Sequence, residues 1–519
     1  MHASHHRFWI LLSVTLTGMA VLIVEITATR MLAPYFGNSI FTISSVIGIV
    51  LAALGLGYYA GGALADRRPS ETWFFALIAA SGFAVLLLQL LNARLLPAVA
   101  YRLSLIDGPL IVSLLMFFLP ALLLAMLSPF AITLLHARAS KGGVGNASGL
   151  VFFWSTLGSI AGSLSTGFLL IPHWGISHIV IGVGAGLILL GCTGLLLARG
   201  LPRIVPAGVA LLGLSVAAAL RPGGLPDLSV VYAADGLYDR IVIRDMQHQG
   251  RPVRILWQDQ NMNSGMFLDD GSLAFDYTKY FDLYRLFAPA LQSALVIGGG
   301  AYSIPGALLQ GAPQAVVDVA EIDPTLHALA VQYFELPEDA RLRNHVVDGR
   351  RFLHDSPLRY DLIFTDAYRS FISMPPQFTT REFFELALGR LAPNGVLISN
   401  YYGSLGPDAR PIVYSVLRTM RAVFPQVYVI ATTDPGSEGL QNFIFIGHNA
   451  VPRDARVDLR RAASLDFAFP MLREVAGREW TPDVALLGAY PILTDNYAPV
   501  EYYAASAIRR YDAIARKPH

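Results

Sequence analysis

The chain has a single cysteine in 519 residues, Cys192, and it lies in an apolar segment. An intramolecular disulfide is excluded, and one thiol makes no metal cluster. Charge is scarce too. Asp, Glu, Lys and Arg together make up 14% of the chain, where an ordinary soluble protein carries about 25%. The charges present nearly cancel, at +1 overall, so there is no global basic field to attract nucleic acid. No internal repeat or low-complexity stretch is evident.

What the sequence has in excess is apolar: 54% of its residues are hydrophobic and the mean hydropathy is +0.50. The excess is concentrated before Arg221, in runs at 8–28, 39–62, 72–91, 110–135, 149–170, 177–197 and 204–220. Each is near the roughly 20 residues a bilayer requires, which predicts a helical bundle of about seven spans, the last being the shortest. The first run is too long, and too poorly followed by a cleavage site, for a signal peptide. Asn92 to Pro109 reads as an amphipathic interfacial stretch with Arg94 and Arg102. Glycines recur at four-residue spacing, at Gly57 and Gly61, Gly158 and Gly162, and Gly182 and Gly186. That spacing suits close helix packing in lipid, and equally the general glycine content of membrane helices.

Glu25 is the one acid inside a span. A carboxylate there is expensive, so it marks either a cation or proton site or a protonated side chain bonded to a neighbouring helix, with Arg30 in reach as a partner. His2, His5 and His6 read as a solvated terminus rather than a metal site. Arg7, Arg67, Arg68, Arg138, Lys141, Arg199 and Arg203 outnumber Arg30, Arg94, Arg102 and Arg221 on the opposite side, which places the N-terminus in the cytoplasm. Seven spans would then put the C-terminal part outside, whereas a cytosolic cofactor requires it inside, so its side stays open.

After Arg221 the sequence PGGLPD reads as a linker. Residues 228–274 alternate in strand fashion, in VVYAA, DRIVIRD and RPVRILWQD, and predict a small β-subdomain. From Phe275 to the end the pattern is β/α alternation. Strands are expected at 294–298, 315–320, 343–347, 360–365, 395–400, 426–431 and 441–447, and helices near 275–288, 303–310, 324–334, 380–391 and 409–424. The last two strands follow without a helix between them, which implies a mostly parallel, Rossmann-like sheet with an antiparallel final strand, covered on both faces. The chain thus reads as a bundle at 1–221, a β-subdomain at 228–274 and an α/β domain with a C-terminal extension at 275–519.

Ligands of such a sheet sit at the carboxyl ends of its strands. Gly298, Gly299 and Gly300 follow the first strand and allow close backbone approach, with a helix start behind them. Glu321 ends the second, where an acid accepts from ribose hydroxyls. Asp348 and Gly349 follow the third, within reach of an adenine amino group, and Asp366 follows the fourth. Each acid alone is as readily a helix cap. Four consecutive strand ends carrying glycines or acids favour a binding site.

The stretches LYDRIVI, LVIGGG, VAEIDP, DGRRFL, YDLIFTDA and LAPNGVLISN resemble spermidine synthase, of the polyamine aminopropyltransferase family, across residues 228–447. LIVEITATRML, GYYAGGALADRR and the closing TDNYAPVEYY resemble bacterial membrane-fused spermidine-synthase-like proteins. The resemblance implies the fold of S-adenosylmethionine-dependent methyltransferases and a multi-pass place in the bacterial inner membrane. It implies a cofactor, decarboxylated or ordinary S-adenosylmethionine, and no metal. It makes Asp366 the base that deprotonates the acceptor amine, Tyr280 the tyrosine that helps hold that amine, and Glu321 and Asp348 the ribose and adenine contacts.

Three departures qualify it. The family's GGGDGG is GGGAYS here, so an acid is lost at Ala301; the second acid after the base is Arg369; and the glutamine beside the β-subdomain tyrosine is Asp239. An arginine in place of an acid repels a cation and favours an anion, so Arg369 and Asp239 become acceptor-selecting positions and putrescine a poor acceptor. The function implied is a membrane-anchored transferase moving an aminopropyl or methyl group to a small acceptor, an amine among the candidates. Its partners would be the bilayer and that acceptor, not nucleic acid, with a homo-oligomer left open. A transporter-like or sensor protein that binds a metabolite without turnover, and a structural membrane protein with a degenerate domain, are the alternatives.

Overall fold

A computed structural model describes residues 2–137, 143–198, 201–220, 228–259, 261–368, 375–407 and 410–506. The chain divides into two compact units, Met1–Asp227 and Leu228–His519.

The first unit is helical: α1 (His2–Phe36), α2 (Ile40–Arg67), α3 (Glu71–Arg94), α4 (Gly108–Ala137), α5 (Val144–His173), α6 (Ile176–Ala198) and α7 (Ile204–Ala219). Among the described residues six of these, α1 to α6, are long and apolar enough to cross a membrane. This corrects the expected seven. The last apolar run supplies 16 helical residues, about 24 Å at 1.5 Å per residue, short of a hydrocarbon core of roughly 30 Å.

Close packing explains two of the three glycine pairs. A Cβ on Gly158 or Gly162 of α5 would lie 1.9 or 2.5 Å from the carbonyl oxygens of Thr15 or Met19 on α1. Gly57 and Gly61 of α2 meet Leu122 and Met126 of α4 in the same way, at 2.5 and 2.4 Å. Gly182 and Gly186 face open space; α6 instead turns Gly184 and Gly191 toward α3. Glu25 is a partly buried residue of α1.

The second unit opens with a four-stranded antiparallel sheet, β1 (Val230–Asp235), β2 (Arg240–His248), β3 (Arg251–Gln258) and β4 (Asn261–Phe267), in sequence order. A seven-stranded sheet follows: β5 (Ser293–Ile297), β6 (Val316–Glu321), β7 (Leu342–Val346), β8 (Tyr360–Thr365), β9 (Leu391–Gly403), β10 (Gln426–Ala431) and β11 (Gln441–His448). Its order is β10-β11-β9-β8-β5-β6-β7. The pairs from β9 through β8, β5 and β6 to β7 are parallel, and β11 is antiparallel to both neighbours.

The apolar runs have a simple cause. In β5, Ala294 and Val296 pack into the core on one face while Leu295 and Ile297 pack into the core on the other, so a strand buried on both sides shows no alternation. The expected helix at 275–288 is a 3-10 segment, Asp276–Leu283, passing into one α-turn at Tyr284–Phe287. The main helices of this unit are α8 (Ser303–Gly311), α9 (Leu326–Tyr333), α10 (Gly349–Asp355), α11 (Arg381–Arg390) and α12 (Pro411–Arg421). From β5 the chain runs outward to β6 and β7, then returns to lay β8 on the other side. The strand order reverses at β5 and β8, and the crevice beyond their carboxyl ends is where such sheets bind ligands.

Candidate functional site

A pocket opens at that crevice. Its wall contains Gly298, Gly299 and Gly300 after β5, Glu321 at the end of β6, Asp348 and Gly349 after β7, and Asp366 after β8. Asn400 of β9, Asn442 of β11, Tyr277 of the 3-10 segment, Gln258, Asn263 and Ser264 of the small sheet, and Tyr238 and Asp239 of the turn between β1 and β2 also line it. Seven of the sequence-predicted cofactor and base positions therefore come together, with Asp239.

The glycine turn is shaped by close approach of backbone to backbone. Gly298 has φ +91° and Gly300 φ +52°, a region that L side chains rarely adopt. A Cβ on Gly298 would also stand 2.7 Å from the carbonyl oxygen of Asp366, so glycine here is what lets the first and fourth strand ends meet. The amide of Gly299 donates to Glu321 Oε2 at 2.7 Å, and that of Asp323 to Oε1 at 2.8 Å. Both carboxylate oxygens are thus oriented, and each keeps a further acceptor site. Burial raises the Glu321 pKa, and these backbone bonds oppose the rise.

Asp348 does two things. Its Oδ1 accepts from the amides of Arg350 and Arg351, both at 3.0 Å, which caps α10 at its N-terminus. The same residue lines the pocket.

Asp366 is the most perturbed acid of the pocket. Burial pushes its pKa up to about 6, against hydrogen bonds from Asn400 and Tyr277 that favour the ionised form. Asn400 Nδ2 donates to Asp366 Oδ1 at 3.0 Å, and Asn442 Nδ2 donates to Asn400 Oδ1 at 2.8 Å. The second amide fixes the orientation of the first, which can then only donate to the carboxylate. The Tyr277 hydroxyl reaches both Asp366 and the carbonyl oxygen of Asn263, the latter at 3.0 Å. Burial holds the pKa of Tyr277 well above the ordinary tyrosine range, so it stays a donor. Such a carboxylate, near neutral in pKa and held by donors, can take a proton in physiological conditions.

Tyr280 is elsewhere. It is 1% exposed, its hydroxyl accepts from Arg478 Nη1 at 3.0 Å, and it is absent from the pocket wall. Arg478 also donates to the carbonyl of Thr432 at 2.6 Å, and this pairing holds the Tyr280 ring in the core. Tyr277, rather than Tyr280, lines the pocket. Asp239 lines the pocket and accepts from Gln258 Nε2 at 3.3 Å; Gln258 in turn accepts from Asn263. Arg369 lies outside the described residues. The described pocket wall carries four carboxylates, Asp239, Glu321, Asp348 and Asp366, and no Lys or Arg.

Sequence reasoning missed Tyr277, Asn400, Asn442 and Gln258. Asn400 had a signal, since it sits near the end of the fifth strand in LISN. Asn442 and Gln258 had none: Asn442 lies near the start of β11, which pairs antiparallel with β9, and Gln258 ends β3 of the small sheet, pairings that no local pattern announces.

Residues 283–455 match the spermine/spermidine synthase domain family. A Bifidobacterium longum protein named "Probable polyamine aminopropyl transferase" is 31% identical over 258 residues, covering 46% of this chain and 56% of that one. An Emericella nidulans "N-terminal histidine N-methyltransferase" is 34% identical over 149 residues, covering 27% of this chain and 24% of that one. Among solved structures, a probable spermidine synthase from Corynebacterium glutamicum is 23% identical, covering 50% of this chain and 97% of that one, with a TM-score of 0.39. The matched stretches span little more than half of the first curated relative and a quarter of the second. The synthase domain matched by the family model runs from the end of the 3-10 segment to just past β11, and includes every strand of the larger sheet.

Proposed function

We propose that the protein is a membrane-held transferase that moves an aminopropyl group from decarboxylated S-adenosylmethionine to an amine, a methyl group from S-adenosylmethionine being the alternative. The observation that carries this is Asp366, a carboxylate with a pKa near 6 beside the glycine turn, in a pocket whose described wall holds four carboxylates and no Lys or Arg. That wall fits a sulfonium cation attached to a nucleoside. When bound, the sulfonium supplies an electrophilic carbon and a neutral thioether as leaving group.

The chain's own residues do the rest. Glu321 accepts from the ribose hydroxyls, and its fixed rotamer costs no reorganisation on binding. Asp348 accepts from the adenine side. Asp366 takes the proton that the amine nitrogen loses as the new C–N bond forms and the C–S bond breaks. Asn400 and Tyr277 hold the base in place and keep it ionised near neutral pH. Arg369 stands where the resembling enzymes carry an acid, so an acceptor with one ammonium, or with an anionic end, is favoured over a diamine.

Six long apolar helices support a place in the bacterial inner membrane. An even number of crossings brings both ends of the bundle to one side, and the Lys and Arg count favours the cytoplasm, where adenosyl cofactors are made.

Calorimetry on the full-length protein with S-adenosylmethionine, its decarboxylated form and methylthioadenosine tests the reading, followed by a product assay over a panel of amines. Binding with product supports the transferase. Binding without product favours a sensor. No binding of any of the three removes the reading, and brisk putrescine turnover unchanged by Arg369→Asp removes the role of Arg369.

A further inference from the structure

The closing motif TDNYAPVEYY takes no part in the chemistry above, yet its Asp495 is the hub of a hydrogen-bonded network. Arg350 Nη1 and Nη2 donate to Asp495 Oδ1 and Oδ2 at 2.7 and 2.6 Å. Thr380 Oγ1 donates to the same Oδ1 at 2.8 Å, and the amide of Asp495 donates to Glu382 Oε2 at 3.0 Å. Arg350 Nη1 also donates to the carbonyl of Gln377 at 3.3 Å. Next to this, the amide of Arg381 donates to the carbonyl of Leu493 at 2.9 Å, and the amide of Leu493 donates to Thr419 Oγ1 at 2.9 Å.

The network touches the pocket wall at Gln377 and borders it at Arg350, which is not itself a wall residue. Arg350 directly follows Asp348 and Gly349, and Gln377 is itself a wall residue, as are its neighbours Phe378 and Pro375. Asp495 is not. An isolated, partly exposed ion pair would contribute little. This one is bidentate and shares its acceptor with a hydroxyl, which adds geometric definition, and Arg350 holds the Asp495 pKa below its usual value.

We propose that Asp495 is a positioning residue for cofactor binding: through Arg350 and Thr380 it ties the wall that carries Asp348 to the wall formed by Pro375, Gln377 and Phe378, and so sets the width of the pocket between them. This rests on the adenosyl-cofactor reading. The closing segment would then be part of the binding site's frame, although it touches no ligand.

The test uses full-length protein in detergent. Methylthioadenosine is titrated into the native protein, Asp495→Ala, Asp495→Asn and the charge exchange Arg350→Asp with Asp495→Arg. Asp495→Ala is expected to bind roughly tenfold more weakly, the equivalent of one lost hydrogen bond to a charged group. The cofactor KM should rise in parallel, while kcat at saturation and the acid limb of the pH profile stay in place. The charge exchange should restore part of the loss. If the native protein binds and Asp495→Ala binds as tightly, the positioning role is wrong while the cofactor reading stands. If kcat falls with the folded fraction and KM does not change, in Asp495→Asn as in Asp495→Ala, the network is merely structural and the proposal is overturned. No binding by the native protein overturns both readings.

Discussion

At the scale of single residues, Asp366 is the proposed base, and burial together with its hydrogen-bond partners sets the pH at which it would act. A general base acts deprotonated, so turnover should fall as pH drops through about 6. Asp366→Asn should lower the rate by about a hundredfold to ten-thousandfold, with methylthioadenosine affinity nearly intact. Equal loss of affinity would mean that the residue only shapes the pocket. Tyr277→Phe removes a bond that favours the ionised carboxylate, so the Asp366 pKa should rise and the acid limb of kcat/KM should move to higher pH. An unmoved limb would show that another group sets it. Asp366, Glu321 and the glycine turn were legible because their chemistry coincides with strand ends, which periodicity locates. Tyr277 was not. What separates it from Tyr280 is Arg478, 198 residues beyond Tyr280 in the chain, and no local pattern announces that partner.

At the scale of elements, inner strands of the larger sheet such as β5 and β8 were legible because burial on both faces makes each a mostly apolar run, whereas the edge strand β7, LRNHV, is polar and only partly buried. Helix α10 was not, since GRRFLHD is only seven residues long and mostly polar; its one signal is the capping aspartate, which also reads as a ligand. In the bundle, spacing alone could not tell packed glycines from open ones. Gly158→Leu must force α5 off the carbonyl of Thr15 on α1, and should lower the melting temperature of the detergent-solubilised protein. Gly182→Ala, with nothing within 4 Å of the added carbon, should leave it unchanged or slightly raise it, since alanine favours helix over glycine. Equal effects from the two would mean that α1 and α5 do not pack through Gly158.

For the whole molecule, the chain divides into two compact units, Met1–Asp227 and Leu228–His519. Each has its own hydrophobic core. A chain of residues 228–519 alone should therefore be soluble without detergent and show mixed α/β circular dichroism. Aggregation of that piece, with no recovery of signal in detergent, would show that it depends on the bundle for folding. The division was visible in the sequence as a change of hydrophobic pattern. The number of spans was less so, because an apolar run of seventeen residues at 204–220 reads much the same whether it crosses a bilayer or stops short.

The half-way pKa of Asp366 has a thermodynamic signature that needs no turnover. A sulfonium beside that carboxylate favours its charged form, so at pH near 6 ligand arrival should expel part of a proton into solution. The heat of binding S-adenosylmethionine should then differ between two buffers in proportion to their ionisation enthalpies. The difference should vanish at pH 8, where the group is already ionised, and in Asp366→Asn. Methylthioadenosine, which is neutral at sulfur, should show a smaller difference than the sulfonium at the same pH. A buffer-independent heat for both ligands at pH 6 would mean that Asp366 and the sulfonium do not sense each other.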